Sequence, residues 1–397
     1  MASYERNVIN YDPPISHNQN QTRYLVPARK TLGGTMKLLD VDLSPDKDCY
    51  FTALAGVYPC IDRLQIRFKG QEIDYYFSPE AISYIMASSG DNEIQKGIFS
   101  ELHGTNNNVV FDKVNKKLSL QRELVNGKKF EIRLALLSSF LASVGVIEGQ
   151  LEIIIDWNKK TSKFLCPATA GETIAVNIQP PFLSYETVEG SSLKMPERFV
   201  FTELVPDQWV IPAVTSNSTK TTEVRSNAFN QKTLGKLLLV NVPQSIDQGT
   251  PANDAKALFS VFGSYCSVPM KREYFNIALD GDSILTFRNV SSDAIKLSLA
   301  VDAFGVYPTA APMAHTHARV PALEELDVNI TGQTVKQLNG FFSYGCCEIN
   351  QRVNKELAIT YTRTADSALY PTLGEQMNLY AIGEVKVAFV NGQKVYL

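Results

Sequence analysis

The chain has 397 residues, 44% of them hydrophobic and 20% charged, with a formal net charge of −3 at pH 7. That is enough apolar material for two or three domain cores, but it lacks the clustered Lys and Arg that duplex nucleic acid requires, so sequence-specific nucleic-acid binding is not expected. Apolar runs such as Leu237-Leu238-Leu239-Val240 are far shorter than a membrane helix, and the first residues, Met1-Ala2-Ser3-Tyr4-Glu5-Arg6-Asn7, lack the apolar core of a secretory signal.

Residues 1–30 are polar and aperiodic, with Asp12-Pro13-Pro14 and His17-Asn18-Gln19-Asn20-Gln21, and read as an extended arm, mobile or docked onto a neighbour. Regular structure should begin near Gly34 and continue through Leu43. Residues 63–77 then alternate apolar and polar side chains around Gly70, which marks an antiparallel hairpin with one buried face. Ser78, Pro79 and Glu80 open a helix with Ile82, Ile85 and Met86 on one face, and a second short helix fits residues 93–103. A strand over 117–124 and the strand after it flank the turn dipeptide Asn126-Gly127. Residues 134–144 have a helical or mixed pattern, and 149–157 form a strand rich in β-branched residues. Residues 173–188 hold a strand interrupted by Pro180-Pro181. Periodicity is lost near 191–196, which sets the domain boundary there, and 216–222 read as a polar loop.

The second half repeats the grammar. A strand at 237–242 and a short helix at 253–259 precede a second hairpin, residues 273–287, turning on Gly281. The two turn glycines are 281 − 70 = 211 positions apart, as expected for one hairpin at the same place in two β domains. Strands follow at 294–301, 326–330, 355–362 and 378–383, with an Ala/Pro-rich loop at 309–321, and the chain closes on a hairpin around Asn391-Gly392. Many short strands with Gly, Pro and Asn turns predict an all-β protein of two tandem antiparallel eight-stranded jelly-roll sandwiches, with a few short helices in loops. The division is an N-terminal arm, 1–30, a first jelly roll, 31–200, and a second, 201–397.

No catalytic pattern competes with this architecture, so no catalytic, cofactor or metal site is assigned. His315-Thr316-His317 has a spacing that can ligate a metal on a strand, but it sits in the Ala/Pro-rich loop without a third ligand nearby and reads as solvated. Gly33-Gly34 precedes a strand, unlike a phosphate cradle. His103, at a helix end, reads as a partner of the helix dipole. Cys49, Cys60, Cys166, Cys266, Cys346 and Cys347 form no C-x-x-C pair and read as buried or idle thiols in a reducing compartment. The carboxylates Asp40, Asp42, Glu324 and Glu325 are compatible with glycosidase chemistry, and Tyr75-Tyr76-Phe77 and Phe341-Phe342-Ser343-Tyr344 with sugar stacking.

Three stretches resemble the double jelly-roll major capsid proteins of the adenovirus-hexon lineage, above all those of virophages, Polinton-like viruses and adintovirus-type elements. The first is Lys129-Phe130-Glu131-Ile132-Arg133-Leu134-Ala135-Leu136-Leu137 leading to Gly149-Gln150-Leu151-Glu152-Ile153-Ile154-Ile155. The second is Lys236-Leu237-Leu238-Leu239-Val240, then residues 257–263, before Tyr274-Phe275-Asn276-Ile277-Ala278-Leu279-Asp280-Gly281. The third is Leu379-Tyr380-Ala381-Ile382-Gly383-Glu384 before the Asn391-Gly392 hairpin. The resemblance spans most of the chain through strand order. It implies a non-enzymatic capsid protein that trimerises into a pseudo-hexagonal capsomer of an icosahedral DNA-virus shell. Its implied partners are itself, neighbouring capsomers, and penton and minor capsid proteins. In that setting the arm would reach under the shell, and removing it should spare the trimer. The alternatives are a carbohydrate-binding jelly-roll lectin or adhesin, a glycoside-processing enzyme on the same scaffold, or a single jelly-roll vertex protein.

Overall fold

A computed structural model describes residues 6–51, 56–76, 102–104, 107–112, 117–122, 124–169, 171–190, 192–213, 218–243, 273–286, 347–364 and 376–397. In the first half the strands are β1 (Arg6–Asp12), β2 (Ser16–His17), β3 (Gln21–Val41), β4 (Cys49–Phe51), β5 (Ile61–Phe68) and β6 (Gln71–Tyr76). They continue with β7 (Asn107–Asp112), β8 (Lys117–Arg122), β9 (Phe130–Arg133), β10 (Val146–Trp157), β11 (Leu165–Pro167) and β12 (Phe182–Glu189). Helices α1 (Leu134–Leu137) and α2 (Ser139–Val144) lie between β9 and β10.

β3 is the organising strand of this half. Its first part, from Gln21 to Leu32, pairs with β10; its second part pairs with β12 through Leu32 and Leu39 and with β9 through Lys37 and Val41. With the two parts taken as consecutive strands, one layer runs β1-β12-β3-β9 and the other β3-β10-β5-β6. The first strand thus lies beside the last, and the second beside the penultimate, which is jelly-roll winding. β10 is central, between β3 and β5, and its Leu151, Ile153 and Ile155 are fully buried on one face while Ile154 is covered on the other. A strand buried on both faces calls for a β-branched run, which residues 153–155 supply.

The second half holds β13 (Arg198–Ile211), β14 (Thr219–Ser226), β15 (Lys232–Pro243), β16 (Glu273–Leu279), β17 (Asp282–Thr286), β18 (Cys347–Val353), β19 (Leu357–Thr364), β20 (Met377–Val390) and β21 (Gln393–Tyr396). Its layers are β13-β20-β15-β18 and β14-β19-β16-β17, the same winding with eight separate strands, and β21 adds to β20. The two hairpins read from sequence, β5–β6 and β16–β17, are the fourth and fifth strands of their respective sandwiches. They turn on Lys69-Gly70 and Asp280-Gly281, and the closing hairpin on Asn391-Gly392, with positive φ at both residues each time. Paired left-handed residues match the right-handed twist of the strands.

The fold class is as expected: all-β, with two jelly rolls. Several elements differ. The segment read as an arm is strand: β1 pairs with β12 along its whole length, and β3 starts at Gln21. Its polarity reflects an edge position, where one face meets water, and not a lack of structure. The polar stretch 216–222 runs into β14, whose Thr and charged side chains alternate with buried Val224. Asn126-Gly127 does make a turn, but β8 pairs with β7 and β9 with β3, so it joins separate sheets. The side chain of Asn126 secures that turn, accepting from the Cys49 amide (3.1 Å) and donating to the Lys47 carbonyl (2.9 Å). The expected helices at 78–86 and 253–259, the strands at 294–301 and 326–330 and the loop at 309–321 lie outside the described residues.

Candidate functional site

The sequence candidates for chemistry do not converge. His315, His317, Glu324, Glu325, Phe77 and residues 341–344 lie outside the described residues. Asp40 is exposed with Lys129 at 3.8 Å, and Asp42 accepts from the Ser44 amide (2.8 Å) and hydroxyl (3.0 Å), so each carboxylate has its own local partner. Cys49 and Cys60 are buried and form no disulfide, and burial pushes the Cys60 thiol far above its ordinary range, away from a reactive thiolate. Gly33-Gly34 lies inside β3, and a Cβ on Gly33 would stand 2.4 Å from the Leu141 carbonyl oxygen. That glycine lets α2 sit on the strand. No group of three or more His, Cys, Asp and Glu side chains suited to a metal occurs among the described residues.

His103 is placed differently from the sequence expectation. Its side chain is fully buried, with Nδ1 donating to the Glu131 carbonyl at 2.6 Å and the Tyr58 hydroxyl lying 3.3 Å from the same nitrogen. Burial holds its pKa below the usual imidazole range, so it is neutral at pH 7 and does not serve as a cationic partner of a helix dipole. Around it, Glu131 meets Lys37 (3.0 Å) and Arg133 (2.9 Å). Burial opposes the Glu131 charge, but the two cations outweigh it and keep that carboxyl below its ordinary pKa.

The most developed packing feature joins the two sandwiches. Phe140 of α2 is fully buried against Phe199 (5.6 Å between centroids), Phe201 (5.6 Å) and Phe389 (5.8 Å), and Phe68 of β5 meets Phe140 (6.2 Å) and Phe389 (6.1 Å). Offset and edge-to-face rings at these distances gain about 0.5–1.5 kcal/mol per pair beyond simple area burial. Beside this cluster, buried Glu203 of β13 binds Lys394 (2.5 Å) and accepts from the Tyr396 hydroxyl (3.2 Å), which clamps β21 to the sheet. Burial opposes the Lys394 charge, and Glu203 more than restores it. Sequence reasoning found neither feature, because its phenylalanines are spread over 321 positions (389 − 68) and only the fold brings them together.

Apolar side chains remain exposed along one flank of the first sandwich: Ile9 and Tyr11 on edge strand β1, Ile15 beyond it, and Phe182 on β12. This arrangement of two jelly rolls in tandem is similar to that in several solved structures. The cryo-EM structure of the Sputnik virophage contains a chain with TM-score 0.59, at 11% identity over 99% of this chain and 88% of that one. The mavirus major capsid protein gives 0.52, at 11% identity over 98% and 89%. A PBCV-1 virus capsid chain gives 0.51, at 11% identity over 100% and 98%. The fold is the double jelly roll of viral major capsid proteins. No protein-family model and no curated protein sequence matches the chain. No helix among the described residues is long and apolar enough to cross a membrane.

Proposed function

We propose that the chain is a viral major capsid protein that works by assembly and not by catalysis. The observation that carries this reading is the full pair of eight-stranded sandwiches in one chain, β1 to β12 and β13 to β21, with an aromatic contact between them. A chain with two such units supplies two corners of a pseudo-hexagon, so three copies close a ring, and capsomers of this shape tile an icosahedral shell around a DNA genome. The second sandwich argues against a single jelly-roll vertex protein. Neighbouring capsomers, penton and minor capsid proteins are the partners on this reading, and the virion is its location. We place the division between the units after Glu189 and before Arg198, with no separate arm. Exposed Ile9, Tyr11 and Phe182 support a face that packs in an assembly.

Light scattering on the purified protein tests this. A stable species at three times the 44.0 kDa chain mass is expected, with a hexagonal outline in negative stain. A monomer that binds sugars would sink the capsomer and return the lectin reading.

A further inference from the structure

His103 has features that ordinary core packing does not need. It is a fully buried imidazole next to two cations, on a segment with no slack. The His103 carbonyl accepts from the Val57 amide (2.8 Å), and Gly104 follows in the left-handed region at φ 67°. A Cβ on Gly104 would stand 2.4 Å from the Phe51 ring and 2.8 Å from the Phe130 ring, which themselves pack edge to face at 5.2 Å. His103 and Gly104 are thus wedged between β4, β9 and the turn Tyr58–Cys60.

Among the described residues, the charged and titratable groups facing the ring include Tyr58 from that turn, Glu131 and Arg133 from β9, and Lys37 from β3. The Glu131 carbonyl takes one ring N–H. A second N–H has the Tyr58 hydroxyl beside it, at 3.5 Å from Nε2, and that oxygen already accepts from the Arg133 amide at 3.1 Å. The Glu131 carboxylate is engaged by Lys37 and Arg133, so a third cation finds its counter-charge already committed.

We propose that the His103 pocket is an acid-operated latch: protonation of the imidazole releases residues 102–104 from β9 and the Tyr58 turn and loosens the first sandwich. The described part of the second sandwich contains no histidine. The latch belongs to the folded chain and does not rest on the capsid reading.

The sign follows from linkage. The unfolded chain binds a proton at His103 below about pH 6.5, and the native chain does not until a lower pH, so stability falls with falling pH between those values. In that window the folding equilibrium constant drops about tenfold per pH unit.

The test is thermal unfolding of the full chain between pH 7.5 and 5.0, comparing the native sequence with His103→Gln and His17→Gln. His103→Gln should lose the tenfold-per-unit component, and His17→Gln should keep it. Equal pH slopes for the native chain and His103→Gln would overturn the latch. If His103→Gln does not fold, NMR of the native chain with labelled histidine decides. A His103 signal that stays neutral until the chain opens supports the latch, and one that titrates reversibly in the intact fold overturns it.

Discussion

Gly33 and Gly34 are adjacent in the sequence but face different physical demands. The Gly33 amide donates to the Gly145 carbonyl (3.0 Å), and its Cα lies so near Leu141 that an added methyl would meet a backbone oxygen, which cannot rotate away. Nothing lies within 4 Å of the place a Cβ would take on Gly34. Gly33→Ala should therefore cost about 1–3 kcal/mol in denaturant unfolding. Gly34→Ala should leave stability unchanged or raise it by up to about 1 kcal/mol, since neither residue needs positive φ. A loss of stability for Gly34→Ala equal to that for Gly33→Ala would refute the close approach of α2. Residues of this kind were only half legible. The sequence placed Gly33-Gly34 next to a strand, but the demand on Gly33 comes from Leu141, more than a hundred positions away.

At the level of elements, local signals were readable where they are self-contained. Lys69-Gly70, Asp280-Gly281 and Asn391-Gly392 announce hairpins because the turn and both partner strands lie within about fifteen residues. The isoleucine run of β10 announces a strand through its own composition. β1 and β14 were not legible, because a polar edge strand looks like a loop until its partner is known, and their partners β12 and β19 are far along the chain. The correction changes an expected outcome. Deleting residues 1–12 removes the strand that covers β12 and the Tyr185 to Asp12 hydrogen bond (2.6 Å). The shortened chain should lose cooperative unfolding of the first sandwich or aggregate through the exposed β12 edge. A well-folded trimer of the shortened chain, seen by circular dichroism and light scattering, would instead restore the arm.

For the whole molecule, the aromatic contact governs whether the two sandwiches act as one body. Phe140 occupies the middle of it, touching Phe68, Phe199, Phe201 and Phe389. Phe140→Ala should cost about 3–5 kcal/mol. Scanning calorimetry of the native chain should give one transition, and the Phe140→Ala chain two, as each sandwich melts by itself. One unchanged transition in the variant would mean that other contacts join the sandwiches. β3 adds a mechanical consequence. A strand of 21 residues at about 3.3 Å each is a continuous tie of roughly 65 Å that is stitched into both layers of the first sandwich. Tension applied at either layer therefore reaches the other along one extended strand with no turn to open first, so this half should resist peeling apart like the covers of a book. The second half, where a turn divides β14 from β15, has no such tendon and should yield at lower force.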